Sequence, residues 1–180
     1  TGGAGFIGLH LTKKLLKEGC HVDLIDNFKR AVDDQTLKQI LSDERVNLYE
    51  INLLNKEEIG NISKDYDVIF HLAAIIGVVH VMEKPYEVLY DNIELLSNMI
   101  GLAKQQKNLE RFLFASTSEV YAGTLENFTI PIPTPEKTPL SLTDLHHPRS
   151  SYMLSKIYGE ALCHHSGVPY TIYRPHNLYG

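Results

Sequence analysis

The chain opens with Thr1-Gly2-Gly3-Ala4-Gly5-Phe6-Ile7-Gly8, a glycine cluster that passes directly into an apolar helical pattern. The spacing fits both Gly-x-Gly-x-x-Gly and Gly-x-x-Gly-x-x-Gly, two forms of a loop that brings bare backbone close to a pyrophosphate. The early glycines permit a tight turn, and Gly8 lets the helix pack closely on the preceding strand. The N–H groups of Phe6 and Ile7 would then face phosphate oxygens at the start of the helix.

An acidic residue completes this pattern. Asp26 follows the glycines by about 20 residues and ends an apolar run, where a carboxylate can accept hydrogen bonds from ribose hydroxyls. The glycines, the helix and the acid together predict a dinucleotide site. The Asp26 carboxylate repels a 2′-phosphate, which favours NAD, while Lys29 and Arg30 follow it closely and leave NADP as the alternative.

Strand and helix patterns alternate along the chain and predict an α/β fold. The predicted strands are His21–Asp26, Val46–Ile51, Asp67–Leu72, Arg111–Ser116 and Tyr170–Tyr173. The predicted helices are Phe6–Leu16, Leu37–Leu41, Asn55–Ile62, Pro85–Gln106 and Ser150–His165. Such repeated units predict a Rossmann-type doubly wound parallel sheet with helices on both faces. We interpret residues 1–180 as one partial NAD-binding domain, a fragment lacking the first strand before the glycines and the C-terminal substrate-binding part.

Composition narrows the range of functions. The 180 residues are 43% hydrophobic, which fits one globular domain, and the net charge of -5 argues against binding to nucleic acid or to an acidic membrane. The longest apolar stretch, residues 68–82, is interrupted by His71 and His80 and is shorter than the roughly 20 residues of a membrane helix. Cys20 and Cys163 are too few for a disulfide framework, so we expect reduced thiols and a cytoplasmic location.

The histidines do not predict a metal site. His146-His147 and His164-His165 are adjacent pairs whose side chains diverge. Neither pair has the i, i+4 helical spacing of zinc ligands with a third ligand in view, so we expect no bound metal.

Three side chains predict a proton-transfer site. Tyr152 and Lys156 share one face of a predicted helix, and Thr117 ends a predicted strand at the sheet edge where α/β folds bind ligands. A cation about 4 Å from the phenol stabilises phenolate by about 4 kcal/mol, near three pKa units, at an effective dielectric of about 20. We therefore expect Lys156 and the positive nicotinamide ring to lower the pKa of Tyr152. The tyrosinate would take the proton of a substrate hydroxyl, Thr117 would hydrogen-bond the same oxygen, and the hydride would pass to the nicotinamide.

In the order of its motifs the chain resembles the extended short-chain dehydrogenase/reductase family, specifically its NAD-dependent nucleotide-sugar epimerases and dehydratases. The resemblance covers nearly all of the chain. The segments that carry it are Thr1 to Gly8, Asp26-Asn27-Phe28, His71-Leu72-Ala73-Ala74, Asn92, Ser116-Thr117-Ser118-Glu119-Val120-Tyr121, Tyr152 to Lys156 and Arg174-Pro175-His176-Asn177-Leu178-Tyr179-Gly180.

The resemblance implies a role for each motif. It implies that the catalytic residues are Thr117, Tyr152, Lys156 and Glu119, and that the substrate-binding residues are Thr117, Tyr152 and Asn177. It implies that the cofactor-binding residues are Gly2, Gly5, Phe6, Ile7, Gly8, Asp26, Asn27, Asn52, Leu53, Leu72, Ala73, Ala74, Asn92, Lys156 and Pro175. The alternatives are that Leu72 to Ala74 only fill the core and that Asn177 only forms a turn. Asn52 stands where the family often has aspartate, and its side chain can still accept a bond from the adenine amine.

Glu119 bears on which reaction of this family the chain would catalyse. Epimerisation at C4 needs no further base, because the 4-keto sugar only rotates, whereas 4,6-dehydration needs a group that removes the C5 proton. Thr117-Ser118-Glu119 resembles GDP-mannose dehydratases and UDP-glucuronate decarboxylases, and the alternative is a strand-end carboxylate held by hydrogen bonds. The long proline-rich segment 123–148 shows neither helical nor strand periodicity. We interpret it as an active-site rim, with a flexible insertion as the alternative.

We therefore predict an NAD-dependent enzyme that acts on a nucleoside-diphosphate sugar by transient oxidation at C4, with 4-epimerisation as the first choice. The alternatives are a 4,6-dehydratase, a UDP-glucuronate decarboxylase and, from another class, a non-catalytic NAD-binding regulatory protein. The predicted helices 85–106 and 150–165 are apolar over more than one stripe. We expect this surface to form a homodimer, with a lid from a missing C-terminal part as the alternative.

Overall fold

A computed structural model gives the structure of residues 1–30 and 35–179. Gly180, the last residue of the resemblance motif, lies outside the described residues. The strands are β1 (Val22–Asp26), β2 (Val46–Glu50), β3 (Val68–His71), β4 (Arg111–Ala115) and β5 (Tyr170–Tyr173). The helices are α1 (Phe6–Lys17), α2 (Gln35–Leu41), α3 (Lys56–Gly60), α4 (Val78–Glu83), α5 (Pro85–Ala103), α6 (Ala122–Asn127) and α7 (Ser150–His165), and a 3-10 turn covers Ser118–Tyr121. Each predicted strand is confirmed to within one residue at either end.

The described strands pair in parallel throughout. β1 pairs with β2, and β4 lies between β3 and β5. The first residues of the chain connect the two sheets, because the Gly2 N–H donates to the Ile25 carbonyl at 2.9 Å and the Leu72 N–H donates to the Thr1 carbonyl at 3.2 Å. The backbone at residues 1–3 therefore lies between β1 and β3, and the order across the molecule is β2, β1, the glycine loop, β3, β4, β5.

Helices cover both faces of this arrangement. Leu24 and Ile25 are neighbours on β1, and successive side chains of a strand point to opposite faces. Leu24 packs in a cluster with Leu9 of α1 and with Leu37 and Ile40 of α2. Ile25 belongs to the larger cluster on the other face, which includes side chains of α3, α5, α7 and the β3-β4-β5 sheet. The predicted doubly wound α/β fold is confirmed.

Helices α5 and α7 pack against each other as well as against the sheet. Gly159 of α7 marks the contact, since a Cβ added there would lie 2.6 Å from the Phe114 ring of β4 and 2.9 Å from Leu96 of α5. The second apolar stripe on each helix is therefore partly used within the chain. The contact between α5 and α7 is therefore a third explanation for the second apolar stripe, beside the second subunit and the lid that the sequence suggested.

The structure corrects one interpretation and adds one element. The segment 123–148 was expected to contain no helix, yet α6 occupies its first residues, and α4 was not predicted either. A helix of six residues is too short to show apolar periodicity, so tertiary contacts decide whether it forms. Thr124 supplies such contacts, because its hydroxyl donates to the Pro139 carbonyl at 2.8 Å and accepts from the Ser141 N–H at 2.9 Å.

The described residues include two free cysteines but neither a metal-binding cluster nor a helix that could span a membrane. Cys20 and Cys163 are free thiols, and burial raises the pKa of Cys163 to about 12. No group of three or more His, Cys, Asp or Glu side chains within residues 1–30 and 35–179 is arranged to hold a metal ion. None of the helices in that part of the chain has the length and apolar character needed to cross a membrane.

Candidate active site

The predicted site residues come together along one edge of the sheets. Asp26 ends β1, Leu72 follows β3, and Thr117 lies two residues beyond β4. Because the strands are parallel, their carboxyl ends lie at the same edge, which is where open α/β sheets bind ligands. The glycine loop lies between β1 and β3 at this edge.

The glycine loop is packed too tightly for side chains at two positions. Gly2 has φ +68°, and a Cβ added there would lie 2.8 Å from the Ala73 backbone nitrogen. A Cβ on Gly8 would lie 2.6 Å from the Gly3 carbonyl oxygen and closer still to that of Gly2. The start of α1 therefore rests on the loop, and the loop rests on the segment after β3, as the glycine spacing predicts.

The first turn of α1 is open to a negatively charged group. Gly5 is the N-cap residue, no side chain caps the helix, and its first turn contains no acidic residue. The N–H groups of a first helical turn have no acceptor within the helix, and the helix dipole adds partial positive charge there. Phe6 and Ile7 are exposed. This geometry matches the phosphate-binding role predicted for them.

Asp26 is fixed beside the glycine loop by backbone hydrogen bonds. Its carboxylate accepts from the Ala4 N–H at 3.0 Å and from the Phe28 N–H at 2.9 Å. Phe28 has φ +56°, a left-handed conformation that this bond helps to hold. Each carboxylate oxygen keeps a further lone pair, which a ribose hydroxyl can use. Asn27 is exposed, and its side-chain oxygen accepts from the Lys29 N–H at 3.2 Å.

Asn92 anchors the segment after β3. Its side-chain oxygen accepts from the Ile75 N–H at 2.7 Å, and its side-chain nitrogen donates to the Ile75 carbonyl at 3.0 Å. The amide of this buried residue is therefore engaged with backbone, which holds Ala73 and Ala74 against the glycine loop. At the end of β2, the Asn52 side chain accepts from the Leu54 N–H at 3.2 Å and Leu53 is buried in the core.

The three predicted proton-transfer residues are adjacent. Thr117 lies close enough to Tyr152 for its side chain to lower the pKa of the Tyr152 phenol. The Lys156 side chain is buried, and its ammonium lies 5.7 Å from the centre of the Tyr152 ring. The same ammonium donates to the Ala115 carbonyl at 2.8 Å, so β4 holds it in place.

The pKa of Tyr152 is shifted in the direction opposite to the one expected from the sequence. Burial, and to a lesser extent the charge of Glu119, raise it to about 12, and only the Thr117 side chain lowers it. Burial also lowers the pKa of Lys156 to about 8. Desolvation disfavours the charged form of both groups and is the largest cause of both shifts. Tyr152 is therefore protonated at neutral pH.

Glu119 borders a cavity. The cavity has a volume of about 520 Å³ and is bordered by Glu119 and Met153 together with residues of the long proline-rich segment and its end, Thr143, Asp144, His147 and Arg149. The Glu119 side chain is exposed. Residues of the long segment therefore border the same cavity as Glu119, and its role as an active-site rim stays a prediction.

The segment after β5 completes this edge. The Ser118 N–H donates to the Pro175 carbonyl at 3.0 Å, which holds the segment beside the turn that carries Glu119. Asn177 is exposed two residues further on.

The sequence analysis did not identify a buried charged pair beneath these residues. Glu160 and Arg174 form an ion pair at 2.6 Å, and Ser116 donates to the same carboxylate at 2.6 Å. The available signal was the position of Glu160, one turn beyond Lys156 on a helix that packs against the sheet. A charged residue there needs a buried partner.

The sequence profile of the NAD dependent epimerase/dehydratase family matches residues 1–180. The chain belongs to this family. Its sequence is 36% identical, over 186 aligned residues, to the UDP-N-acetyl-alpha-D-glucosaminuronate decarboxylase of Bacillus cytotoxicus, with 100% of the chain and 54% of that protein covered.

Solved structures of family members have the same fold. The UDP-glucose 4-epimerase of Thermotoga maritima superposes with a TM-score of 0.78 at 28% identity, covering 99% of this chain and 55% of that one. An NAD-dependent NDP-hexosamine 5,6-dehydratase superposes with a TM-score of 0.75 at 27% identity, covering 99% and 54%. The chain thus spans about half the length of the relatives it matches.

The described residues fit the NAD on which the family depends. The backbone at Gly2 and Gly8 leaves no room for a Cβ, the first turn of α1 is uncapped, and Asp26 offers free lone pairs next to both. A bound dinucleotide requires a tightly packed glycine loop, a helix start that is open to phosphate and a carboxylate that accepts from ribose hydroxyls.

Proposed function

We propose that the protein is an NAD-dependent enzyme acting on a nucleoside-diphosphate sugar, with transient oxidation at C4 and 4-epimerisation as its first-choice reaction. The observation that carries the proposal is the grouping of Thr117, Tyr152 and Lys156: the Thr117 side chain acts on the pKa of Tyr152, and the Lys156 ammonium lies 5.7 Å from the centre of the Tyr152 ring. When bound, NAD supplies the acceptor for the hydride that leaves C4 and later returns it.

Tyr152 would carry the proton in both directions. Its phenolate takes the proton of the C4 hydroxyl, and the phenol later returns it, while the Thr117 hydroxyl bonds to the same sugar oxygen. A pKa of about 12 means that little phenolate exists at neutral pH in the protein alone. The role of Lys156 is then to offset part of the cost of the phenolate by its nearby positive charge.

We propose that the remaining predicted residues surround this centre. Gly2, Gly5, Phe6, Ile7 and Gly8 bind the cofactor phosphates, and Asp26 selects NAD over NADP. The other proposed cofactor-binding residues are Asn27, Asn52, Leu53, Leu72, Ala73, Ala74, Lys156 and Pro175, with Asn92 acting through the loop it anchors. Asn177 is proposed to contact the substrate.

Glu119 supports the second candidate reactions, 4,6-dehydration and decarboxylation. Its exposed carboxylate borders a cavity, where it could take the proton from C5 in a dehydration. In a decarboxylation the protonated Glu119 could instead donate a proton to C5 after carbon dioxide has left. The relatives named above include a decarboxylase and a dehydratase as well as an epimerase. All three reactions start from the same oxidation at C4, so they share Thr117, Tyr152 and Lys156.

Product mass separates these reactions. We would incubate the intact protein and NAD with a panel of UDP-, GDP- and dTDP-sugars and follow the products by mass spectrometry and chromatography. A new sugar of unchanged mass indicates epimerisation, loss of water indicates dehydration, and loss of carbon dioxide indicates decarboxylation. A protein that binds NAD and converts no sugar of the panel would instead be the non-catalytic regulator, and the proposal would be wrong.

We also propose a homodimer and a cytoplasmic location. Helix α5 carries two exposed, stacked tyrosines, Tyr86 and Tyr90, whose ring centres are 5.9 Å apart, and α7 carries the exposed Tyr158. Exposed aromatic clusters of this kind are typical of interfaces between proteins. The two free cysteines support a reducing compartment.

A further inference from the structure

Glu160 and Arg174 form a buried, two-pronged ion pair. The Arg174 Nε donates to Glu160 Oε1 at 2.8 Å, and its Nη2 donates to Oε2 at 2.6 Å. Only 4% of Glu160 is exposed, and the Ser116 hydroxyl donates to Oε1 at 2.6 Å. Paired hydrogen bonds of this type fix the angle between the two groups as well as their distance.

The pair joins the elements that carry the proposed catalytic residues. Ser116 directly precedes Thr117, and Glu160 lies one turn beyond Lys156 on α7. Arg174 follows β5, and its Nη1 donates to the Tyr121 hydroxyl and, at 3.1 Å, to the Glu136 carbonyl. The guanidinium carbon also lies 4.9 Å from the centre of the Tyr121 ring. Tyr121 and Glu119 belong to the same 3-10 turn.

We propose that Glu160 and Arg174 are positioning residues for the C4 oxidation. Through Ser116 they set the distance between Thr117 and the helix that carries Tyr152, and through Tyr121 they hold the turn that carries Glu119. The inference rests on the proposed function, because it concerns the geometry of that reaction. Neither residue touches the reacting atoms.

The charges of the pair persist at neutral pH. Burial alone would raise the pKa of Glu160, but hydrogen bonds from Arg174 and Ser116 outweigh it and leave that pKa below its usual value. The hydrogen bond with Glu160 raises the pKa of Arg174. An uncharged Glu160 would hold Arg174 with a weaker bond of looser geometry, so Thr117 and Tyr152 would lose their fixed separation.

Replacing Glu160 tests this in the intact protein. E160Q keeps the size of the side chain and removes its charge. A misplacement of about 1 Å can cost about a hundredfold in rate, so we expect kcat to fall about tenfold to a hundredfold while KM changes less than about twofold. D43N is the matched control, since Arg45 donates to Asp43 at 3.0 and 2.7 Å in the same two-pronged manner, far along the chain from the site.

Hydrogen exchange gives a second readout that needs no turnover. Mass spectrometry of peptides covering residues 116–121 should show faster exchange in E160Q than in wild type, and no change in D43N. If wild-type protein converts none of the sugars, the proposed function fails and the exchange result alone decides the inference. A folded E160Q with unchanged kcat, or unchanged exchange at 116–121, would overturn it.

S116A covers the case in which E160Q does not fold. This change removes one hydrogen bond to Glu160 and leaves the ion pair intact. We expect kcat to fall at least about threefold with KM unchanged and with faster exchange at residues 116–121. Wild-type kcat and exchange in folded S116A would show that the pair does not position Thr117.

Discussion

Tyr152 and Lys156 share one buried environment that shifts their pKa values in opposite directions. Burial raises the pKa of the phenol to about 12 and lowers that of the ammonium to about 8. Both shifts make the neutral form of each group easier to reach than it is in water. At neutral pH Tyr152 is therefore a phenol and Lys156 is an ammonium. In this state the Tyr152 phenol can share its proton with Thr117.

Removing the Tyr152 hydroxyl should abolish turnover without unfolding the protein. A positioned acid or base contributes about a hundredfold to ten-thousandfold, so Y152F should lower kcat about a thousandfold in the sugar assay. Y158F is the control, because Tyr158 lies on the same helix and is exposed. Turnover by Y152F within about tenfold of wild type would remove Tyr152 from the proposed mechanism.

Lys156 should make stability depend on pH between about 8 and 10.5. Its folded-state pKa is lowered, so the unfolded chain binds the extra proton in this window and the free energy of unfolding rises with pH. The rise should reach about 3 kcal/mol, since one pKa unit corresponds to about 1.4 kcal/mol. Below pH 8 both states are protonated and Lys156 adds no slope.

Urea unfolding of wild type and K156M at several pH values measures this contribution. K156M keeps an apolar side chain of similar length and has no titrating group, so other residues cancel in the difference. The difference in unfolding free energy should be constant below pH 8 and should change in favour of wild type above it. Parallel pH profiles for the two proteins would contradict a buried, charged Lys156.

The sequence predicts the identity of the catalytic group better than its electrostatics. Tyr152 and Lys156 are recognisable from helical spacing, and Thr117 from its place after a strand. The raised pKa of Tyr152 depends on how deeply α7 packs, which no local pattern records. Glu160 and Arg174 meet only because α7 and the end of β5 come together, so their pairing also lies beyond local sequence signals.

At the scale of elements, glycine sets how closely α7 approaches the sheet. A Cβ on Gly159 would lie 2.6 Å from the Phe114 ring and 2.9 Å from Leu96, whereas a Cβ on Gly101 of α5 would meet nothing within 4 Å. Both glycines lie inside helices and have ordinary helical backbone. The same substitution should therefore have opposite effects at the two positions.

G101A should stabilise the protein and G159A should destabilise it. Alanine gains roughly 0.5–1 kcal/mol over glycine inside a helix, and this is the expected result at Gly101. At Gly159 overpacking should cost about 1–3 kcal/mol more than this gain, because both the ring and Leu96 must move. Thermal or urea unfolding of the two variants measures the difference, and equal stabilisation by both would refute the close α7 contact.

The strands and helices differ in how well local sequence patterns predict them. All five strands were predicted because each is a short apolar run bounded by polar or glycine residues. α4 and α6 have six residues each and were missed, whereas α3, with five, was predicted, so helix length alone does not explain the misses. α6 is held by Thr124, which bonds to residues some fifteen positions along the chain, and such contacts are not visible in a local window.

At the scale of the whole molecule, the candidate site uses both ends of the described chain. The glycine loop begins at Thr1, and Arg174 and Pro175 follow the last described strand. Parallel strands need crossover connections, so all of these residues meet only after every β-α unit has packed. Local damage to packing, as in G159A, should therefore reduce activity as well as stability, because Thr117, Tyr152 and Lys156 lie on β4 and α7 or directly beside them.

The exposed tyrosines of α5 give the last prediction, the proposed homodimer. Tyr86 is 72% exposed and Tyr90 is 52% exposed, and their rings are stacked. Burying on the order of 100 Å² of each ring would contribute about 2.5 kcal/mol, and a symmetric dimer would bury both rings of each copy. We expect wild-type protein to sediment as a dimer.

The double variant Y86E/Y90E should sediment as a monomer, because four carboxylates would face one another across the interface. F128E is the control, since Phe128 is also exposed but lies beyond α6, outside the two helices. Analytical ultracentrifugation at several protein concentrations distinguishes the species. A monomeric wild type would contradict the proposed homodimer, and a dimeric Y86E/Y90E would place the interface elsewhere on the molecule.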